Sequence, residues 1–413
     1  MKIFADSALS FISDRPDTHA RELAWSSFAS LGLPTTTDEV WRYAPLSDLD
    51  VDRFAVSSNP TIAIDSPFAA QLVATSGMVI RVVDGFLTAS DDAVPGVKVT
   101  SVHDGASLSG TSELEKYESD SFALLNVALA PATTVVEIAE GTNVERPIVI
   151  LYAANGSSSF SRTHIRLGRS SSATVVEYFE GGRDALVVPL SEYDVADDAS
   201  LQLVTYQRLD ATAWHVARTT GLLRRDARLR QSVLGMGAHY DRSRNDAEFL
   251  AVGGENELRT TFLGTGSQVH DFRTHQFHKA ARTHSTLLSK GAVADESRSV
   301  YTGLIEIEKG AKRTDARQTN HNLLLSAHAH ADSVPNLDIR ENDVMCAHAS
   351  SVGPLDELQR WYLESRGVTP KDAERLMIQG FFYEMLATLP GELAELVETD
   401  VTSALARLEV VAS

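Results

Sequence analysis

Cysteine is nearly missing: Cys346 is the one thiol in 413 residues. No disulfide can form within the chain, and it cannot by itself build a four-thiolate metal or cluster site. No apolar run approaches the roughly 20 residues a membrane helix needs. Basic charge is also short, with 37 Lys and Arg against 56 Asp and Glu and a net charge of -19. Nucleic-acid binding depends on neutralising phosphates, so this balance disfavours nucleic acid as a partner, and it repels anionic membranes. The G-x-x-x-x-G-K-[ST] phosphate loop, the G-x-S-x-G elbow and the H-E-x-x-H zinc helix are all missing. The chain is therefore not itself a P-loop ATPase, and two common hydrolase signatures are excluded. Gly264-Thr265-Gly266 has no following Lys and reads as a strand turn.

What is present describes a folded protein. A hydrophobic fraction of 43% and a mean hydropathy of -0.11 are those of a soluble globular chain. Its length suits two or three domains or one elongated unit. The first residues carry Asp6, Asp14 and Asp17 and no long apolar stretch, so neither a secretory signal nor an Arg-rich transit peptide is expected. With a lone thiol, the expectation is a cytoplasmic protein.

Three regions follow along the chain. Residues 1–130 read as mostly helical with short strands. Leu23, Ala24, Phe28 and Leu31 lie near a 3.6 period before Gly32, strands are expected at 78–83 and 97–102, and a helix at 121–129 ending before Pro131. Residues 131–350 carry strand-like runs, such as 135–138, 148–151 and 175–179, separated by turns rich in Gly, Ser, Asn and Asp. Residues 351–413 return to helix. There Leu355, Leu358, Tyr362 and Leu363 form one stripe, and Gly367 supplies a C-cap. Thr369-Pro370-Lys371-Asp372 starts a helix with apolar face Ala373, Leu376, Met377, Gly380 and Phe381. Pro390 precedes a last helix.

The middle region shows a weak recurrence. Small or polar residues precede Val175, Leu201, Leu229 and Leu258, which are 26, 28 and 29 residues apart. Such spacing suits coils of a parallel β-solenoid, although a sandwich with strands every 8–12 residues also gives short strands and turns. The missing alternation of helices argues against a βαβ sheet.

Two features carry candidate chemistry. Cys346 and His348 are two residues apart, hence on one face of an extended segment. Both are potential ligands for soft or borderline metals, but a buried Cys is also simply a small hydrophobe. Eight of 13 histidines lie between His270 and His348. His275 with His278, or His328 with His330, could chelate a metal, though neither pair has a third ligand at recognisable spacing. A carbohydrate-active β-helix enzyme would need clustered carboxylates, whereas Asp315 and Asp343 stand apart.

At these residues the chain resembles the SufB/SufD family of iron–sulfur cluster assembly scaffolds. The likeness runs through Gly303-Leu304-Ile305, Thr314-Asp315-Ala316, Gln318-Thr319-Asn320, Asn322-Leu323-Leu324-Leu325-Ser326, Cys346, His348, Val352-Gly353 and Leu355-Asp356. It continues into Tyr362-Leu363, Ser365-Arg366-Gly367 and Gly380-Phe381; upstream, Val175-Val176-Glu177 and Trp41-Arg42-Tyr43 are similar to the family. Gln318, Asn320 and Asn322 are the family-motif residues. Asn320 stands where chains of the B branch carry a cysteine, which favours the D branch; a B-like paralogue with the main cluster role is the alternative, and a His-rich metalloenzyme a more distant one. Ala349-Ser350 departs from the small Gly-Ala pair common in the D branch. The resemblance implies a mainly β protein, a right-handed parallel β-helix with helical N- and C-terminal regions, acting as a non-catalytic scaffold subunit. It further implies a heterodimer with a SufB-like subunit, a SufC-like ATPase docked on the C-terminal helices through residues such as Asp356, Tyr362, Arg366 and Phe381, and a nascent iron–sulfur cluster shared at the interface near His348 and Cys346. A flavin in the complex is compatible with the resemblance, but no residue pattern assigns one.

Overall fold

The computed structural model describes residues 2–62, 65–91, 94–103, 117 and 119–406. Its centre is a parallel β-solenoid of two facing sheets, one of ten strands and one of eleven. From Ser200–Leu209 onward the chain alternates between them, so each coil contributes one strand to each sheet and hydrogen-bonds to its neighbouring coils. Antiparallel strands close the N-terminal side: Phe86–Ser90 on Met78–Val83, and Val97–Val102 on Thr133–Ile138. The solenoid resolves the choice left open by the strand spacing.

The coils are set by their corners. Asp198, Asp226, Gly253, Arg282 and Arg313 occupy equivalent corners with φ of 60°, 53°, 80°, 58° and 61°. Left-handed backbone is easiest for Gly and tolerable for Asp. Amides tie the corners together, for example Asp198 N to Arg225 O at 2.9 Å and Arg282 N to Lys312 O at 2.8 Å. The residue after each corner is small where it turns inward: Ala199, Ala227, Thr283 and Thr314 are buried. Ala199 and Ala227 are among the small residues whose recurrence is visible in the sequence.

The register differs from the sequence spacing at two of its three steps. Leu201 does face Leu229. Val175, however, faces Leu203, and Leu258 faces Gln231. Side chains alternate along a strand, so a slip of two residues keeps the inward face and leaves the apolar pattern intact. The pattern therefore cannot distinguish Leu201 from Leu203.

Helices cover the outer faces. Helices α1 (Lys2–Ser13), α2 (Thr18–Leu31) and α4 (Ser121–Leu129) pack on the eleven-stranded sheet around Leu190, Trp214, Val216 and Tyr240. α4 is buried along its whole length. In α2 the buried face is Arg21, Ala24 and Phe28, while Leu23 and Leu31 are exposed. Arg21 displaces them because its guanidinium donates to Ala128 O (2.9 Å) and Ala130 O (2.6 Å), carbonyls at the end of α4. α3 (Pro67–Thr75), α6 (Pro370–Leu386) and α7 (Gly391–Ala406) cover the ten-stranded sheet over Val176, Tyr178, Val204 and Tyr206.

The C-terminal faces also depart from expectation. In α5 (Glu357–Ser365) no residue is buried, and Leu358 and Tyr362 project into solvent. In α6 the buried face is Ala373, Ile378, Phe382, Met385 and Leu386, with Leu376 exposed. Apolar residues occupy both faces of this segment, so period alone does not choose the side that meets the sheet. Among the described residues, no helix is long and apolar enough to cross a membrane.

Candidate functional site

The helical cover stops short of the last coil. His330–Ile339 and Met345–Gly353 are the terminal strands of their sheets, each paired on one side only. Backbone N–H and C=O groups along the free side are unpaired within the ladder, which suits addition of another strand. Leu337, Ile339, Met345 and Val352 are exposed beside that edge.

Cys346 and His348 lie on this strand, and their two-residue spacing puts both on the inward face, in register with Ala316 and Gln318. The environments differ. Cys346 is half-buried against Ile305, Ile307, Ala311 and Ala316, whereas His348 is exposed at the mouth of the coil. Burial raises the Cys346 thiol above its ordinary value, with the nearby Asp315 carboxylate adding to the rise. The thiol therefore stays protonated at neutral pH and becomes a good ligand only where a metal ion displaces the proton.

The motif amides sit one coil deeper. Gln318, Asn320 and Asn322 all face inward and are buried. Asn320 Nδ2 donates to Ser333 Oγ at 2.9 Å, and Ser350 Oγ lies 2.8 Å from the same oxygen. Among the described residues, neither Gln318 Nε2 nor Gln318 Oε1 finds a partner. Opposite stands Gly303, where a Cβ would come within 2.4 Å of both the Gln318 amide and the Tyr301 hydroxyl. The glycine makes room for the amide.

The candidate docking residues separate into caps and exposed groups. Asp356 is the N-cap of α5 and accepts from the amides of Leu358 and Gln359. Arg366 stacks over Tyr362 at 5.1 Å. Phe381 is partly buried, with Lys290 Nζ 4.9 Å from its ring centre and donating to its carbonyl at 3.3 Å. Trp361, missed in the sequence, is 66% exposed beside Leu358. Its signal was its place in a short, well-capped helix, next to the apolar stripe of Leu358, Tyr362 and Leu363.

The strand separates the first histidine pair. His275 bonds Glu306 and His278 bonds Thr283 and Ser285, because an odd gap on a strand puts them on opposite faces. Among the described residues no three or more His, Cys, Asp or Glu side chains are grouped to hold a metal ion. What the sequence conceals is a buried trio on successive rungs: Asp241 lies between His215 Nδ1 (2.7 Å) and His270 Nδ1 (3.2 Å). Burial alone would raise the Asp241 carboxyl, but the hydrogen bonds from both imidazoles win and hold it well below the usual carboxylate range.

Residues 150–381 match the family described as SUF system FeS cluster assembly, SufBD core domain. The Escherichia coli protein named iron-sulfur cluster assembly protein SufD is 28% identical over 371 residues, 87% of this chain and 86% of that one. Its Bacillus subtilis namesake is 30% identical over 286 residues, 67% of this chain and 65% of that one. A SufBD family protein of Mycobacterium tuberculosis is 27% identical over 369 residues, 86% and 85% of the two chains. The matched core runs from the early solenoid into α6, taking in the motif amides, Cys346 and His348, and the chain belongs to the SufBD family of SUF iron–sulfur cluster assembly proteins.

Proposed function

We propose that the chain is a non-catalytic scaffold subunit of a cytoplasmic SUF complex, pairing with a SufB-like subunit at the open coil and with a SufC-like ATPase at the C-terminal helices. The carrying observation is the uncovered terminal coil, where an unpaired strand edge adjoins an exposed His348. The nascent iron–sulfur cluster is the cargo. Cys346 and His348 supply at most two ligands, so the rest come from the second subunit. Relatives named SufD support the D-type reading over a B-type scaffold.

ATP hydrolysis belongs to the partner, in keeping with the missing phosphate loop. The exposed apolar residues Leu358, Trp361 and Tyr362 of α5 support docking there. Arg360, bonded to the buried Glu374 at 3.2 Å, fixes α5 against α6 and so fixes the orientation of that surface.

Co-expression of the three components followed by affinity capture tests the reading. A stable complex in which the isolated chain hydrolyses no ATP is expected. Failure to capture either partner would overturn it. Removing everything after Gly353 is the blunter test, because α6 and α7 cover Val176, Tyr178, Val204 and Tyr206. Their loss would expose that face.

A further inference from the structure

The Trp41-Arg42-Tyr43 segment lies outside both the open coil and the C-terminal helices, yet it meets the solenoid close to its last coil. A single turn of 3₁₀ helix, Glu39–Trp41, leads into it. On the outer face of the eleven-stranded sheet two neighbouring rows run along the solenoid. One is Tyr240, Val269, Arg298 and His330; the other is Arg242, Asp271, Val300 and Asp332. Tyr240 is buried beneath the N-terminal helices and Val269 packs against the same cluster. His330, on the terminal strand, is exposed.

The segment bridges that boundary with two aromatic contacts in succession. Trp41 packs against Phe122 of α4 at 5.3 Å and lies 3.9 Å from the Arg242 guanidinium. That guanidinium donates to Val40 O at 3.1 Å and to Asp271 at 2.6 Å, which fixes the backbone of the segment to the sheet. Two residues on, Tyr43 lies 4.8 Å from the Arg298 guanidinium. Arg298 reaches one coil further, donating to Asp332 Oδ2 from Nε at 2.9 Å and from a terminal nitrogen at 2.6 Å. The contacts therefore run from a helix buried along its whole length to a strand paired on one side only.

A half-exposed Arg–Asp pair alone contributes little, because ordering the long side chain offsets the attraction. A guanidinium already held against a ring has less freedom to lose when its fork meets the carboxylate. The terminal strand is where such support matters, since strand ends without a second neighbour fray. Its backbone is held from one side, for example by His330 N to Ser297 O at 3.2 Å and, just past its end, Arg340 N to Ile307 O at 2.9 Å.

We propose that Trp41 and Tyr43 form a strap that keeps the terminal strand His330–Ile339 in register, with Tyr43 and Arg298 as positioning residues for the strand that a partner adds to this edge. The strap needs no partner; only its use in strand addition rests on the scaffold reading.

Hydrogen–deuterium exchange on the full-length chain alone tests the strap. Tyr43→Ala should speed exchange of the His330–Ile339 amides about three- to fivefold, the factor one partly exposed cation–π contact is worth. Tyr43→Phe keeps the ring face and should exchange as the wild type does. Asp332→Ala cuts the far end of the strap and should reproduce the effect of Tyr43→Ala. Amides of Trp214–Leu223 and Met345–Gly353 should keep their rates in all three variants. Unchanged exchange in Tyr43→Ala, or an equal rise across all three strands, would overturn the strap. Affinity for the SufB-like subunit tests its use, and Tyr43→Ala and Asp332→Ala should each weaken binding by a similar factor. Wild-type affinity in both variants would refute the positioning role. Absence of binding by the wild-type chain would strike the scaffold reading instead and leave the exchange result standing.

Discussion

Gln318 and His348 are partners in register on adjacent strands and face the same way, yet one is buried and the other open to solvent. The difference comes entirely from the missing next coil. At Gln318 the ladder continues on both sides; at His348 it stops, and an inward position becomes a surface.

That placement predicts unequal effects at the two candidate ligands. His348→Ala should lower the iron and sulfide content of the reconstituted three-component complex while complex assembly and ATP hydrolysis stay near normal. Cys346→Ser should do less harm, because the thiol is half-buried in an apolar cluster and its proton is held more tightly than usual. Full cluster content in His348→Ala would leave the residue as a strand-end side chain only.

The docking surface on α5 makes a separate prediction. Trp361→Ala together with Leu358→Ala should abolish capture of the ATPase with no change in melting temperature, since neither side chain is buried in this chain. Unaltered capture would move the docking site elsewhere. Asp356→Ala should instead cost about 1 kcal/mol of helix stability through loss of an N-cap.

Much of this architecture is legible in the residues, and the illegible parts share one cause. The strands at 78–83 and 97–102 and the helix at 121–129 announce themselves by Gly, Asp and Pro boundaries around apolar runs. Cys346 and His348 share a face because their spacing is even. The polar residues of the inner face do not announce themselves, because Thr260, Ser289 and Asn320 alternate along strands as surface residues would. Nothing local says which face is inside. Asp241 is hidden for a stronger reason: its partners are 26 residues before it and 29 after it, and only the register brings them together.

Close packing in the solenoid bore can be tested at Gly291. A Cβ there would lie 1.9 Å from the Phe262 ring, which is fully buried and stacked with Phe272 at 5.1 Å and with His270 at 5.5 Å. The ring has nowhere to move without displacing that stack. Gly291→Ala should therefore destabilise by about 1–3 kcal/mol, the cost of overpacking a core. Chemical denaturation should show a lower midpoint at unchanged slope; an unchanged midpoint would mean the bore is looser than its stacking implies.

The acid response of the fold should be traceable in part to His278. Its ring is buried, stacked on Phe249 at 4.1 Å, with Nδ1 at 2.7 Å from Thr283 Oγ1 and Nε2 at 3.0 Å from Ser285 Oγ. Burial pushes its pKa down to about 3, and the neighbouring His284 and His275 push the same way. In the unfolded chain an imidazole titrates near 6.5. Between about pH 6.5 and 3 the unfolded chain therefore takes up a proton that the folded one refuses, so this residue's contribution is full above about 6.5 and is lost as pH falls. The slope approaches about 1.4 kcal/mol per pH unit within that window. His278→Gln retains a group able to bond Thr283 or Ser285 but cannot titrate. It should lower stability at pH 7 and flatten the pH dependence of unfolding between pH 6 and 4 by about one proton. An unchanged slope in that window would show that His278 is protonated in the folded state and that its two hydroxyl partners hold the charge.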